Sequence, residues 1–234
     1  MPSSGNPESA STVTATADAL LFDLDGTLVD TTVAFESVWR WAAHELDVPF
    51  SQIEPYIHGI PADQALGRAV PRLDEDTRSR LAAEILVRQA DPASPVSALP
   101  GALDLLSELP PDRWAIVTSG DVSLARSSME KAGLPEPAVL VTADDVDDGK
   151  PHPAPFELAM QRLGTAAAGC IAVEDSPAGI SSAVAAGVRV IGVGATFSHD
   201  LLVGATWLIP GLTSLTASWE GDRIVVSLSG FRSV

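Results

Sequence analysis

The sequence predicts an α/β fold in which a doubly wound parallel sheet carries helices on both faces. Short, almost continuously apolar runs of strand length alternate with helical stretches through most of the chain. The runs are bounded by Gly, Asp or Ser, and their apolar character is typical of strands buried on both sides. One long interval lacks such runs, which predicts a helical insertion, and a hairpin pattern follows the last parallel strand.

Five apolar segments are predicted to form the parallel strands. In chain order they are 19–24, 114–118, 139–142, 170–174 and 189–193. The helices predicted between them are 102–109, 122–132, 154–163 and 177–186. Gly133, Gly164 and Gly187 directly follow the last three of these helices, at the position where glycine commonly ends a helix.

The interval 31–99 is predicted to be a small inserted helical cap domain. Its helical patterns cover 33–45, 62–69 and 74–89, and prolines separate them. The insertion leaves from the carboxyl end of the first strand, where open α/β sheets bind their ligands, so it would cover the ligand crevice as a lid. The core domain would then consist of residues 18–30 and 100–234.

The two ends of the chain lead to different predictions. Residues 1–17 are rich in Ser, Thr, Ala and Pro and lack the basic start and apolar stretch of a signal peptide, so a disordered tail is expected. Near the other end, after a short apolar run at 206–209, segments 215–219 and 224–228 predict a C-terminal β-hairpin. Glu220-Gly221-Asp222 supplies its turn.

Charge and composition narrow the possible partners. The chain has 14 basic and 31 acidic residues, a net charge of −17. So acidic a surface repels nucleic acids and anionic membranes, so neither is an expected partner. No apolar run approaches the roughly 18 residues of a membrane span, and the lone Cys170 does not point to an oxidising compartment. A cytoplasmic protein is expected, either a monomer or a weak dimer.

The stretch Asp23-Leu24-Asp25-Gly26-Thr27 carries the strongest functional signal. Carboxylates two residues apart on a strand point to the same side, and glycine lets the chain turn where the strand ends. Adjacent negative charges are costly without a cation, which indicates a metal that prefers oxygen ligands, such as Mg²⁺. An aspartate can attack phosphorus while its neighbour acts as general acid and base. A plain strand-end turn is the alternative explanation of this stretch taken alone.

Three further strand ends carry groups suited to a phosphate ester. Thr118-Ser119-Gly120 offers hydroxyls and backbone amides at a helix start. Lys150, one of only two lysines, could supply a point charge for phosphate. Glu174 and Asp175 could complete the metal site or cap the next helix. Each stretch has an ordinary structural explanation, but all four fall at the same edge of the predicted sheet.

In this order the four stretches resemble the haloacid dehalogenase-like (HAD) hydrolase superfamily. The pattern is Asp-x-Asp-Gly-Thr, then Thr/Ser, then Lys-Pro, then Glu-Asp, and it extends from the strand at 19–24 to the helix at 177–186. The resemblance implies a Rossmann-like core with a small helical cap, a phosphoric monoester hydrolase, and Mg²⁺ as cofactor.

The resemblance also implies a role for each residue. Asp23 would be the nucleophile that forms an aspartyl-phosphate, and Asp25 the general acid and base. The groups expected around the phosphoryl oxygens are Thr118, Ser119, Gly120 and Lys150. The expected metal ligands are Asp23, Asp25 through its backbone carbonyl, Asp175 and, in an assisting role, Glu174.

Within the superfamily the sequence is most similar to phosphatases of small sugar and polyol phosphates, the glycerol-phosphate, 2-deoxyhexose-phosphate and hexitol-phosphate types. The similar segments include His58-Gly59, 99–101, 149–153 and 173–180. His58 and Gly59 are candidate cap residues for binding a substrate hydroxyl, although His58 could equally be an ordinary surface histidine. Asp25 disfavours a dehalogenase, because the dehalogenases of this superfamily lack the second aspartate.

Two kinds of alternative remain open. A β-phosphoglucomutase-like enzyme would need a cap arginine for a second phosphate. Ala62 stands at the matching position here, although the nearby Arg68 could substitute. A phosphoglycolate phosphatase is the other enzymatic alternative. A catalytically inactive binding module of the same fold is disfavoured, because Asp23, Lys150 and Asp175 are all present.

Overall fold

The computed structural model describes residues 12–57, 60–89, 91, 95–194, 197 and 199–233. The described strands are β1 (Thr12–Ala17), β2 (Ala19–Phe22), β3 (Val29–Asp30), β4 (Ser97–Ala98), β5 (Trp114–Val117), β6 (Val139–Val141), β7 (Cys170–Glu174), β8 (Arg189–Val193), β9 (Trp207–Ile209), β10 (Leu215–Glu220), β11 (Arg223–Ser229) and β12 (Arg232–Ser233). The described α-helices are α1 (Thr32–Glu45), α2 (Phe50–Ile53), α3 (Ala62–Ala69), α4 (Glu75–Gln89), α5 (Ala102–Ser107), α6 (Val122–Ala132), α7 (Ala154–Leu163) and α8 (Pro177–Ala185). None of these helices combines the length and apolar character needed to cross a bilayer.

The central sheet has seven strands in the order β12-β9-β8-β7-β2-β5-β6. All neighbouring pairs are parallel except β12 with β9. The first strand of this sheet along the chain, β2, is an interior strand, with β5 on one side and β7 on the other. The chain therefore reverses its direction of winding beside β2, and a crevice forms at the carboxyl end of a strand at such a point.

Apolar residues cover the sheet on both faces. Leu20 and Phe22 of β2 belong to one buried cluster, together with residues of α5 and α6. Ala19 and Leu21 belong to a second cluster, with residues of α7 and α8. Because alternate residues of a strand point to opposite faces, the two clusters lie on opposite sides of the sheet. The predicted doubly wound α/β core is confirmed.

Helices α1 to α4 form a helical layer with an apolar cluster of its own. Trp39, Leu66, Leu81 and Ile85 are among its buried residues. The segment leaves and rejoins the rest of the chain through β3 and β4, which pair antiparallel with each other. The three helices predicted in this interval are observed to within one residue at either end, while the single turn α2 was not predicted.

The predicted C-terminal hairpin is confirmed, but it belongs to a larger sheet. Strands β10 and β11 pair antiparallel, and β1 pairs along the other side of β11. The expected disordered tail at 1–17 is therefore wrong for Thr12–Ala17, while residues 1–11 lie outside the described residues. The alternation of Thr with Val and Ala favours a strand, and burial of Ala17 joins this strand to the core.

Candidate active site

The turn after β2 places Asp23 and Asp25 at the carboxyl edge of the sheet. The backbone N–H of Asp23 donates to the carbonyl of Val173, 3.0 Å away, which continues the pairing of β2 with β7. Gly26 then adopts a φ of 85°, in the left-handed region that glycine tolerates best. Asp23 is 7% exposed, whereas Asp25 is half-buried. The fixed backbone and the burial together hold the Asp23 carboxylate in a defined position.

Lys150 reaches this position from the loop after β6. Its ammonium nitrogen lies 2.7 Å from Asp23 Oδ1, 2.6 Å from Glu174 Oε1 and 2.8 Å from the carbonyl oxygen of Val117. An ammonium group has three N–H donors, so all three are matched. The Lys150 side chain is only 3% exposed. Burial alone would lower the pKa of Lys150, but the Asp23 and Glu174 carboxylates outweigh it and raise that pKa, which keeps the group charged.

Glu174 is completely buried and is held from both sides. Its Oε1 accepts from Lys150, and its Oε2 accepts from the backbone N–H and the hydroxyl of Ser176, at 2.9 and 3.0 Å. A Cβ built on Gly179 would lie 1.6 Å from Oε1, so only glycine leaves room for this carboxylate. The supporting roles of Ser176 and Gly179 were not predicted, since they require knowing that the first turn of α8 packs over Glu174.

Three buried carboxylates converge beside Lys150. Oxygen atoms of Asp23, Glu174 and Asp175 lie within 4.8 Å of one another. Burial raises the pKa of Asp23 well above its usual value; Lys150 opposes this shift, while Glu174 and Asp175 add to it. With all three carboxylates ionised, the single ammonium leaves two negative charges, which a divalent cation would balance. This all-oxygen donor set fits Mg²⁺.

Asp25 has the electrostatic environment of a proton carrier. Burial raises the pKa of its carboxyl group, while a hydrogen bond involving Thr31 and the charge of Lys150 oppose that shift. A carboxyl group with a raised pKa is more readily protonated near neutral pH and is thus better able to give up a proton during a reaction.

The loop after β5 differs in part from the expectation. Thr118 is buried, and its hydroxyl oxygen accepts from the backbone N–H of Gly120 at 3.0 Å. The carbonyl of Gly120 accepts from the N–H of Ala143 at 2.9 Å. Both backbone polar groups of Gly120 are therefore used inside the protein, so Gly120 shapes the loop and offers no free N–H. Ser119, between Thr118 and Gly120, is exposed.

The start of α6 is likewise occupied by carboxylates. Asp144 accepts from the N–H of Val122 and Asp121 from the N–H of Leu124, each at 2.9 Å. By contrast, within the described part of the chain, no acceptor pairs with the backbone N–H groups of Leu24, Asp25 and Ser119. These three donors flank the β2 and β5 strand ends, where an anion would meet them.

The candidate residues in the inserted helices are His58, Gly59 and Arg68. His58 and Gly59 fall outside the described residues. Arg68 is on α3, is exposed, and forms no ion pair with any residue that the structure describes. The structure thus brings Asp23, Lys150, Glu174 and Asp175 together, and no described contact joins Arg68 to them.

Comparison with known proteins agrees with this geometry. A family model described as haloacid dehalogenase-like hydrolase matches residues 20–193. Hexitol phosphatase A of Escherichia coli K12 is 39% identical over 210 residues, which are 88% of this chain and 97% of that protein. The 2-deoxyglucose-6-phosphate phosphatase 1 of Saccharomyces cerevisiae is 34% identical over 232 residues, 90% of this chain and 94% of that protein. Among solved structures, a β-phosphoglucomutase from Clostridium difficile superimposes with a TM-score of 0.70 at 23% identity, covering 84% of this chain and 92% of that one.

Proposed function

The chain belongs to the haloacid dehalogenase-like hydrolases, and from this premise we propose that it is a Mg²⁺-dependent phosphatase of a small sugar or polyol phosphate that works through an aspartyl-phosphate on Asp23. The observation that carries the proposal is the buried Asp23 carboxylate, which Lys150 holds at 2.7 Å beside two further carboxylates. Such a group is positioned to attack phosphorus, and it has a cation beside it to stabilise the charge of the transferred group.

In the first half of the reaction, Asp23 attacks the phosphorus of the ester. Lys150 binds Oδ1 of Asp23, which leaves the second carboxylate oxygen to form the new P–O bond. As that bond forms, the bond from phosphorus to the substrate oxygen breaks, and Asp25 gives its proton to the departing alkoxide. The free N–H groups of Leu24, Asp25 and Ser119 would receive the phosphoryl oxygens, and Thr118 would hold the loop around them.

In the second half, Asp25 accepts a proton from the water that attacks phosphorus. The bond between phosphorus and the Asp23 oxygen then breaks, which releases inorganic phosphate and leaves Asp23 as a carboxylate and Asp25 in its protonated form, ready for the next cycle. Asp23, Asp175, the backbone carbonyl of Asp25 and Glu174 would hold the magnesium ion. When bound, this ion would reduce the repulsion between the carboxylates and the phosphoryl oxygens.

The substrate class rests on the relatives and on the inserted helices. A hexitol phosphatase and a 2-deoxyglucose-6-phosphate phosphatase are similar over nearly the whole chain. Residues 31–99 are proposed to be a cap domain over a core of residues 18–30 and 100–234. The pairing of β3 with β4 supports a boundary there, since both chain crossings lie side by side. His58 and Gly59 in the cap are proposed to contact a substrate hydroxyl.

A sugar phosphomutase is the second candidate, and the fold shared with β-phosphoglucomutase is the observation that favours it. Against it, α3 begins at Ala62, where a mutase would carry the arginine for a second phosphate. Incubation with β-glucose 1-phosphate and catalytic bisphosphate separates the two. Faster formation of glucose 6-phosphate than of inorganic phosphate would contradict the phosphatase proposal.

Phosphate release from a panel of esters tests the proposal directly. The panel comprises glycerol phosphates, hexose and deoxyhexose 6-phosphates, hexitol phosphates and phosphoglycolate. We expect Mg²⁺-dependent release from a sugar or polyol phosphate, complete loss with a chelator, and a loss of at least about 10⁴-fold in Asp23→Asn. Asp147→Asn removes an exposed carboxylate of the β6 loop and is the matched control. Turnover by Asp23→Asn at the parent rate would rule out the aspartyl-phosphate.

The net charge of −17 supports small phosphate esters as substrates and disfavours nucleic-acid or membrane partners. The lone Cys170 supports the cytoplasm as the place of action, and the chain is proposed to be a monomer or weak dimer. Light scattering during size-exclusion chromatography measures the mass, and a stable higher oligomer would contradict this part of the proposal.

A further inference from the structure

We propose that Ser182 is a positioning residue: its hydroxyl fixes the turn that carries Lys150, and so sets where the ammonium lies beside Asp23. The inference rests on the proposed function for its kinetic consequence, but its structural part is independent of any reaction. Ser182 lies on α8, is fully buried, and belongs to none of the stretches that predicted the active site.

The contact joins two segments that are 30 residues apart. The hydroxyl of Ser182 donates to the backbone carbonyl of His152 at 2.5 Å. His152 also closes a turn, because its N–H donates to the carbonyl of Gly149 at 2.9 Å. Lys150 lies inside that turn. The bond from Ser182 therefore fixes the turn to α8 at a point two residues from Lys150.

Lys150 needs such an anchor because the loop before it is not held by burial. Asp147, Asp148 and Gly149 are all exposed, and the lysine stem has several rotatable bonds. At the far end, the ammonium is bound by acceptors from three different strand ends. A shift of the turn would pull the ammonium away from these acceptors, so the backbone must be held as firmly as the charged group.

Helix α8 supports Lys150 both at its ammonium group and at its backbone. Ser176, the residue that caps the N-terminus of this helix, fixes the Glu174 carboxylate that binds the ammonium. One and a half turns later, Ser182 fixes the backbone turn below it. The backbone and the ammonium group of Lys150 are thus both held by contacts to the same helix. Such support keeps a charged group within the narrow range of positions that catalysis requires.

The helix itself does not need this hydroxyl. Alanine is a better helix former than serine in a helix interior, because serine competes with the backbone for hydrogen bonds. The preceding residue, Ser181, makes a hydrogen bond of this kind. It is exposed, and its hydroxyl donates to the backbone carbonyl of Pro177 in the same helix, at 2.8 Å. Ser182 instead points inward and donates to a different segment. Ser181 is therefore a matched control for the chemistry, the helix and the position.

Lysine NMR tests the structural part without any reaction. The chain contains only Lys131 and Lys150, so protein labelled with ¹⁵N-lysine gives two side-chain ammonium signals, which Lys131→Arg assigns. In the parent and in Ser181→Ala, we expect Lys150 to give a sharp signal, because its buried and fully bonded protons exchange slowly with water. In Ser182→Ala, the same signal should shift and broaden. An unchanged Lys150 signal in folded Ser182→Ala would overturn the proposal.

Kinetics test the consequence. In Ser182→Ala we expect kcat to fall about 10-fold with KM within two-fold, because the reacting groups and not the substrate site are displaced. Ser181→Ala should retain the parent kcat. Equal losses in both variants would contradict the proposal, as would a loss confined to KM.

Two other outcomes, misfolding of the Ser182→Ala variant and the absence of phosphatase activity in the parent, can be told apart from a wrong assignment of Ser182. If Ser182→Ala does not fold, Ser182→Cys keeps the side chain's size while weakening its donor, and both measurements are made on that variant. If the parent hydrolyses none of the esters, the proposed function fails, and the Lys150 signal alone decides the role of Ser182.

Discussion

Asp25 has the clearest single-residue test of the proton transfers. Replacing it with Asn removes the acid and base but keeps the size of the side chain, so we expect kcat to fall by about 10²–10⁴-fold. The loss in kcat/KM, which reports only the first half of the reaction, should be smaller for an aryl phosphate such as p-nitrophenyl phosphate, whose leaving group needs no proton. Values of kcat/KM for that ester and for the best sugar phosphate, with circular dichroism to check folding, measure the difference. Equal losses of kcat/KM on both esters would argue against Asp25 as the acid.

Substitution of Gly179 tests whether the space that this glycine leaves is needed to hold the Glu174 carboxylate in place. An added Cβ would overlap Glu174 Oε1, so Gly179→Ala must displace the carboxylate that binds Lys150. Overpacking of this kind costs about 1–3 kcal/mol, and we expect kcat to fall at least about 10-fold as the ammonium loses an acceptor. Urea denaturation and initial rates measure the two effects. Gly211→Ala, where nothing lies within 4 Å of an added Cβ, should leave both unchanged.

Between elements, one ion pair joins the loop after β6 to α7. Asp145 Oδ1 lies 2.6 Å from a guanidinium nitrogen of Arg162, and Asp145 also accepts from Thr142. The hydrogen bond from Arg162 is the main cause that lowers the pKa of Asp145. A group whose pKa is lowered by folding stabilises the protein above its unfolded pKa, near 3.9, and this contribution is lost as the pH falls through the folded pKa.

Asp145→Asn should therefore reduce stability near neutral pH, and its difference from the parent should shrink as the pH falls below about 4. Urea denaturation across this range measures the free energy of unfolding. Asp147→Asn changes a neighbouring exposed carboxylate and should give a curve parallel to the parent. A constant deficit in Asp145→Asn at every pH would show that the ion pair is not its cause.

Substitutions in strand β11 measure how much the three-stranded sheet contributes to the free energy of unfolding. Ile224 is fully buried in the apolar cluster that also contains Leu20 and Phe22, whereas the next residue, Val225, points to the other face and is half-buried. Ile224→Ala should lower the free energy of unfolding by about 2–5 kcal/mol, since it removes packed atoms that the core cannot replace. Val225→Ala is the control and should cost clearly less in the same urea titration. Equal costs would mean that the hairpin does not pack as described.

Across the whole molecule, the charge of −17 acts on every anionic substrate that approaches. Repulsion between like charges slows the encounter, and dissolved salt screens it over about 10 Å at 0.1 M. We therefore expect kcat/KM for a sugar phosphate to rise as ionic strength increases at saturating Mg²⁺, while kcat stays constant. Initial rates in a series of NaCl concentrations measure both. A steady fall of kcat/KM with salt would instead indicate local attraction stronger than the global repulsion.

The alternation of strands and helices, the helical insertion, the hairpin and the four polar strand ends could all be predicted from the sequence. These features are readable because a strand buried on both faces must be apolar throughout, and because parallel strands place their carboxyl ends at one edge. The meeting of Asp23, Lys150, Glu174 and Asp175 follows from these local patterns, while the family and the enzyme class follow from the resemblance that the four stretches carry. The strand Thr12–Ala17 differs from the expected tail because the polar composition of the N-terminal residues favours disorder, whereas the alternation of Thr with Val and Ala favours a strand.

Which polar groups are already hydrogen-bonded and which are free became clear only from the packing of distant segments. That Lys150 has all three donors matched, that Gly120 and the start of α6 are occupied, and that Gly179 makes room for Glu174 all depend on contacts between distant segments. Ser182 is the clearest case: nothing in its local sequence separates it from Ser181, and only packing turns one inward to His152. Hydrogen bonds across 30 residues leave no periodic trace in a sequence, because they are fixed by how helices and strands pack.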